Sequence, residues 1–204
     1  MSGETVTRHS FLALRDEHGF IREGFEFLDE KRMLLAQRIL VEHAVYLEHR
    51  EELATAWTAA IAALADALGE RGLLALAVAA IPRSRITLPQ VTRRAHFGVP
   101  LLQLDMAGQV HRDPIGDKAS RHQRCTEAFA TVTEAAVAVS VSAGNLRRLI
   151  AEYRRTDRRA RALENVVLPE ISGRLHVIEA ALEDGDLEES LRTRLAIANL
   201  SGLV

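Results

Sequence analysis

Apolar side chains recur along the first quarter of the chain at alternating three- and four-residue steps: Phe11, Leu14, Ile21, Phe25, Leu28, Leu35, Ile39, Tyr46 and Leu53. The same rhythm passes through four polar positions, His18, Arg32, Glu42 and His49. Such an alternation keeps one stripe facing a partner helix and marks a coiled-coil seam rather than an isolated globular helix. From Val6 to about Leu68 there is no proline, and Gly19 and Gly24 are the only breakers. The pattern therefore predicts one helix on the order of 75–90 Å long. A second helical stretch runs from about Arg124 to Leu182, restarting after Gly185, with Val132, Val139, Ala143, Leu146, Ile150, Tyr153, Ala160, Val167, Ile171 and Ile178 on a similar period. Pro169 interrupts it; a missing N–H and a crowded carbonyl four residues back predict a kink or local loosening rather than an end. Two long helices at opposite ends of one chain bury each other's stripes by lying antiparallel.

The middle of the chain reads differently. An Ala-rich segment, 54–80, is helical by propensity, with a break suggested at Gly69 and Gly72. Arg85–Thr92 alternates apolar and polar residues as a strand does, His96–Pro100 is a turn signal, and Leu101–Leu104 is a returning strand. Pro89 and Pro100 confine both strands to an edge. A polar loop fills Asp105–Ser120. The fold class expected is mainly α: a long antiparallel two-helix coiled coil formed by the N- and C-terminal helices, with a small central helical and β-hairpin lobe. Its boundaries are 1–60 for the first coiled-coil helix, 61–123 for the lobe and 124–204 for the second helix, paired antiparallel with the first.

Composition narrows the function. The 204 residues are 48% hydrophobic and 26% charged, as in a folded soluble protein, and aromatics are only 4%, which favours helix packing built from aliphatic residues. A net charge of -2 gives no general attraction to nucleic acid or anionic lipid. The single cysteine, Cys125, forms no internal disulfide and fits a reducing cytoplasm. The amino terminus lacks an apolar signal-peptide core, and the longest apolar run, Leu73–Ile81, is about half of what a membrane span needs.

Candidate chemistry is sparse. Glu42-His43 and Glu48-His49 invite a metal reading, but no Glu-x-x-His and no His-x-x-x-His spacing occurs, so they read as solvated rim residues of a coiled coil. His111, Asp113 and His122 near Cys125 suggest a thiol nucleophile, yet no glycine-rich elbow accompanies them, and a packed or surface thiol is the simpler reading. No phosphate-cradling glycine motif is present, and no cofactor is expected. The strongest charge feature is the run Arg147, Arg148, Arg154, Arg155, Arg158, Arg159 and Arg161. It reads either as a phosphate-binding stripe or, preferably, as a flank complementary to Glu48, Glu51 and Glu52. The latter pairing requires Phe11 to stand level with about Arg194.

Three segments carry a family resemblance. Gly24-Phe-Glu-Phe-Leu28 followed by Lys31, Arg32 and Leu35 resembles the G-x-x-LL-x-x-KR-x-x-L segment of the D subunit of V-type (archaeal/vacuolar-type) ATPases. Arg158-Arg159-Ala-Arg-Ala162-Leu163-Glu164 with Pro169 is similar to that family's R-R-V-N-A-L-E-x-x-x-x-P. Val91–Pro100, containing Gly98, Val99 and Pro100, is similar to its hairpin, though shorter after Gly98. The order of segments matches along nearly the whole chain. Lys31 and Lys118 are the only lysines where the family is lysine-rich, and arginine keeps the charge.

The resemblance implies a non-catalytic central-stalk rotor shaft, whose paired terminal helices enter a hexamer of catalytic A and B subunits. It implies an F subunit and a C-type (d-type) adaptor to the membrane ring as neighbours. ATP synthesis or hydrolysis would thereby be coupled to proton or sodium translocation. The location implied is cytoplasmic and peripheral to the membrane, with no membrane span and no nucleic acid bound. The apolar end, Leu195, Ile197, Leu200, Leu203 and Val204, is expected to turn in the bearing of the head. Two other classes remain open on the residues alone: a free-standing coiled-coil adaptor, and a helical-bundle enzyme, which the lack of convergent ionisable residues disfavours.

Overall fold

The computed structural model describes residues 7–79, 90–105 and 120–201. The protein is mainly α. Helix α1 spans Arg8–Ala79, strands β1 (Gln90–His96) and β2 (Val99–Asp105) form an antiparallel hairpin, and α2 covers Arg121–Ala162. A π-helical turn, Leu163–Val167, leads into α3, Leu168–Ser201. The chain divides into two compact units: residues 1–33 with 154–204, and residues 34–153.

Local chemistry explains where the helices start. Thr7 and Ser10 hydrogen-bond reciprocally, each side-chain oxygen accepting the other's backbone N–H at 3.0 Å. Ser120 and Gln123 do the same ahead of α2, at 3.3 and 2.9 Å. These are capping boxes, and the second places the helix start at Arg121, three residues before the expected Arg124. Helix α1 continues to Ala79 and is interrupted only at Gly72 (φ 74°, ψ 163°), a conformation that the absence of a Cβ permits. Helix α3 runs through Gly185 without the expected restart, since one glycine costs a packed helix only about 1 kcal/mol. One 18-residue window within Arg121–Ile197 is long and apolar enough to cross a membrane by length and composition alone.

In the first unit, Leu14, Ile171 and Ile178 are buried together, with Phe11, Ile21, Val167, Leu175 and Leu182 packed around them. The chain direction there is antiparallel: Arg8 pairs with Asp186 at 2.9 Å, His18 lies 3.2 Å from Ser172, and Arg32 pairs with Asp157 at 3.2 Å. In the second unit the core is Leu35, Leu149, Val99 and Leu101, supported by Ile39 and Tyr153. Trp57 and Phe129 meet edge to face there, their ring centroids 6.4 Å apart.

The seam read from the sequence of α1 is the seam of the structure. All thirteen positions from Phe11 to Leu53, the polar ones included, are buried or half-buried, and the rhythm continues through Ala60 to Ala67. The register is a correction. The observed pairs place Arg32 against Asp157 and Glu42 against Asn145, so the alignment of Phe11 with Arg194 is displaced by roughly four helical turns. Glu48, Glu51 and Glu52 line an open groove with Thr131, not with Arg154 and its neighbours. The physical reason is one of magnitude. Exposed ion pairs contribute about 0–1 kcal/mol each, whereas each buried aliphatic side chain contributes about 1.5–3 kcal/mol, so contacts buried in the seam outweigh the exposed charged flanks.

The hairpin is tighter than expected. Only Phe97 and Gly98 form the turn, and His96, Val99 and Pro100 belong to the strands. Both turn residues have positive φ, 50° and 81°, the mirror-image turn whose twist suits two-residue hairpins. Of the expected first strand, residues 85–89 lie outside the described residues, as does most of the loop at 105–120. Pro100 opposes Ala95, next to the turn-flanking pair His96 and Val99. In a two-residue hairpin that second pair is the non-hydrogen-bonded kind, so the missing N–H of Pro100 removes no ladder bond.

Leu35→Ala should lower unfolding free energy by about 2–5 kcal/mol, because the side chain is fully buried between α2 and the hairpin. Leu40→Ala, on an exposed face of the same helix, should cost at most about 0.5 kcal/mol. Urea denaturation followed by circular dichroism separates the two, and equal losses would contradict this placement of the seam.

Candidate functional site

The polar positions of the α1 seam converge on polar partners. Glu42 is 6% exposed and Asn145 on α2 is 4% exposed. The Asn145 side chain is saturated. Its Nδ2 donates to Glu42 Oε1 at 3.0 Å and to the Leu102 carbonyl at 2.8 Å. Its Oδ1 accepts from the Leu102 N–H at 2.8 Å and from Arg148 Nη1 at 3.1 Å. Arg38 donates to the other Glu42 oxygen at 3.2 Å. One amide thus stands in for a neighbouring strand at the outer edge of β2, where Leu102 opposes Arg93. It ties α1, α2 and the hairpin together directly beside the Leu35–Val99–Leu101–Leu149 core.

Two further polar layers follow the same logic. Arg32 bridges Asp29 on its own helix and Asp157 on α2, and Arg161 joins at Asp157. His49 Nδ1 lies 3.4 Å from the buried Ser142 hydroxyl, which donates to the carbonyls of its own helix. Polar pairs inside an apolar seam lower stability relative to aliphatic packing but reject alignments that leave them unpaired.

The residues singled out in the sequence are distributed around these layers. Gly24, Leu28 and Lys31 are half-buried on α1, and Arg32 and Leu35 belong to the seam. Arg158, Arg159 and Ala162 are exposed on α2; Leu163 and Glu164 open the π turn, and Pro169 is exposed just beyond it. Gly98 forms the turn, Val99 is buried against Leu35, and Pro100 is exposed. The structure therefore joins the first motif to the second through Arg32 and Asp157, one residue before Arg158, and to the hairpin motif through Leu35 and Val99. The reading of Glu42 and His49 as solvated rim residues is corrected: Glu42 is buried and His49 half-buried in the seam, whereas His43 and Glu48 are exposed. The contacts of Asn145, Arg148, Asp29 and Asp157 are not expected from the sequence pattern. An Asn between apolar neighbours at a seam position is the available signal for the first of them.

Cys125 is buried, and that burial pushes its thiol pKa up, disfavouring the thiolate that nucleophilic chemistry needs. His122 is half-buried on the same helix, while His111 and Asp113 lie outside the described residues. Of the arginine run, Arg148 and Arg161 are engaged as described. Arg154, Arg155, Arg158 and Arg159 are exposed and have no ion-pair partner among the described residues. The preferred reading of that run, a flank matched to Glu48, Glu51 and Glu52, is thereby overturned.

A profile of the family described as the D subunit of ATP synthase matches residues 10–198. The chain belongs to this ATP synthase D-subunit family. It is similar to the V-type ATP synthase D subunit of Anaeromyxobacter dehalogenans strain 2CP-1, 32% identical over 206 residues that cover 95% of each chain. The V-type D subunit of Thermus thermophilus is 28% identical, covering 95% of this chain and 87% of the relative. The A-type D subunit of Thermococcus gammatolerans is 25% identical, with 92% and 90% covered. The matched span contains the hairpin, α2 and nearly all of α1 and α3, so every polar layer described above lies within it.

The Glu42–Asn145 contact is testable by a double-mutant cycle. Asn145→Leu leaves a buried carboxylate and the Leu102 backbone groups short of partners, and should cost about 3–5 kcal/mol. Glu42→Leu combined with Asn145→Leu should cost less than the two changes summed, with a coupling of about 1–3 kcal/mol in denaturant titrations. Strict additivity would contradict a shared network.

Proposed function

We propose that this chain is the central-stalk subunit of a V/A-type rotary ATPase, a non-catalytic shaft. It couples ATP synthesis or hydrolysis in a hexamer of A and B subunits to proton or sodium translocation. The observation that carries the reading is the interlocked seam of a member of the D-subunit family. Apolar layers in each unit alternate with polar layers at Arg32–Asp157, Glu42–Asn145 and His49–Ser142. A shaft must resist sliding and unwinding of one helix on the other. Apolar packing alone resists separation but permits axial slip, and buried polar pairs raise the cost of slip by stranding their partners.

The work of such a subunit is mechanical. Its asymmetric surface, presented in turn to each catalytic site, favours different conformations of those sites, which is a coupling free energy between distant places. The residues described above supply surfaces suited to partners. The exposed guanidinium groups of Arg154, Arg155, Arg158 and Arg159 offer positive charge, and Leu187, Leu191, Leu195 and Ile197 on α3 offer exposed apolar area. The F subunit and the C-type (d-type) adaptor complete the set of neighbours proposed, and the location proposed is cytoplasmic and peripheral to the membrane.

Co-expression of the tagged chain with its own A, B and F subunits tests this directly. A single species containing all four, whose ATP hydrolysis differs from that of A and B alone, is the expected result. A chain that stays apart from A and B under those conditions contradicts the shaft reading and favours a free-standing coiled-coil adaptor.

A further inference from the structure

The seam of α1 keeps its seven-residue spacing without a slip: Leu14, Ile21, Leu28, Leu35, Glu42 and His49. The facing helix does not. Ser142, Leu149 and Thr156 are buried at intervals of seven, and Ile171 and Ile178 are buried seven apart, but Thr156 and Ile171 are separated by fifteen residues rather than fourteen. Position 170, where an unbroken heptad would place the seam, holds the exposed Glu170. One residue too many therefore lies between two correctly spaced stretches of one helix, opposite a partner that carries no such excess.

The π turn sits inside that interval. Leu168 donates its N–H to the Leu163 carbonyl, five residues back rather than four, and Leu163–Val167 form the widened turn. A π turn is the form a helix takes when one residue is added to it without loss of the flanking helix. The outer wall of the turn is Glu164, Asn165 and Val166, all exposed, whereas Val167 packs against the Leu14–Ile171–Ile178 cluster. The surplus is accommodated on the solvent side, and the apolar stripe re-emerges on the seam.

We infer that the π turn at Leu163–Val167 is a phase adapter. It absorbs one surplus residue so that Thr156 before it and Ile171 and Ile178 after it meet the same uninterrupted stripe of α1. Pro169 is compatible with this turn but is not its cause. In a regular α-helix its ring would crowd the carbonyl of Asn165, and the widened turn relieves that clash. The two explanations separate cleanly, since one rests on residue count and the other on the chemistry of a single side chain.

The test uses the full-length chain and two variants, Pro169→Ala and Pro169→Ala with Val166 deleted, followed by NMR hydrogen-bond couplings and methyl contacts. With Pro169→Ala alone the Leu168 N–H to Leu163 carbonyl bond is expected to persist, because the surplus residue remains. With Val166 deleted as well, the bonds should run four residues back throughout, and the methyl contacts of Ile171 and Ile178 with Leu14 should be retained. The inference is overturned if Pro169→Ala alone regularises the helix. It is equally overturned if the deletion variant loses the contacts of Leu14 with Ile171 and Ile178 while remaining helical. Should the deletion variant unfold, the Pro169→Ala result alone decides between the two causes.

Discussion

Polar side chains placed inside an apolar seam, each met by a polar group on the facing helix, are the constraint on which this structure depends. An aliphatic stripe is degenerate: sliding one helix by a heptad returns apolar side chains to apolar surroundings at small cost. Arg32 against Asp157, Glu42 against Asn145 and His49 against Ser142 remove that degeneracy, because any other alignment buries a charge or an amide without its partner. The same residues that interrupt the hydrophobic pattern thus determine which single pairing survives.

The hairpin depends on this arrangement rather than contributing an independent core. A two-stranded ribbon is marginal by itself. Here Val99 and Leu101 are inserted between Leu35 and Leu149, and the free edge of β2 at Leu102 is closed by the Asn145 amide. Asn145 simultaneously faces Glu42, so fixing the helix register also fixes where the hairpin docks. For a chain proposed to transmit rotation, that linkage makes the hairpin part of the shaft, not an appendage on a flexible tether.

The α1 seam was legible in the sequence almost residue by residue, because apolar periodicity is strong and unbroken there. Three things were not. The register cannot be read from Glu48, Glu51, Glu52 and the arginine run, because these are exposed charges whose pairing is worth little beside buried contacts. The seam of α2 lies a residue or so away from Val139, Ala143, Leu146 and Ile150, because the buried positions are Ser142, Asn145, Leu149 and Thr156, three of them polar. Small polar residues satisfied by partners are invisible to a hydrophobic pattern. Loosening near Pro169 follows from the sequence, but its form does not: a π turn emerges from counting residues on both helices at once, which requires the register. The family resemblance, by contrast, is carried by short motifs, which the structure joins at Leu35–Val99 and through Arg32 to Asp157, the residue before Arg158.

A distance between the two helices measures their alignment most directly. Glu52 on α1 and Thr131 on α2 border the same open groove, both are exposed, and neither belongs to a polar layer. Spin labels at these two positions should report a separation under about 20 Å by pulsed dipolar spectroscopy, since packed helix axes lie about 8–10 Å apart. The alignment demanded by the charged flanks would place them more than about 30 Å apart along the helix axis. A distance in that longer range would contradict the seam described here.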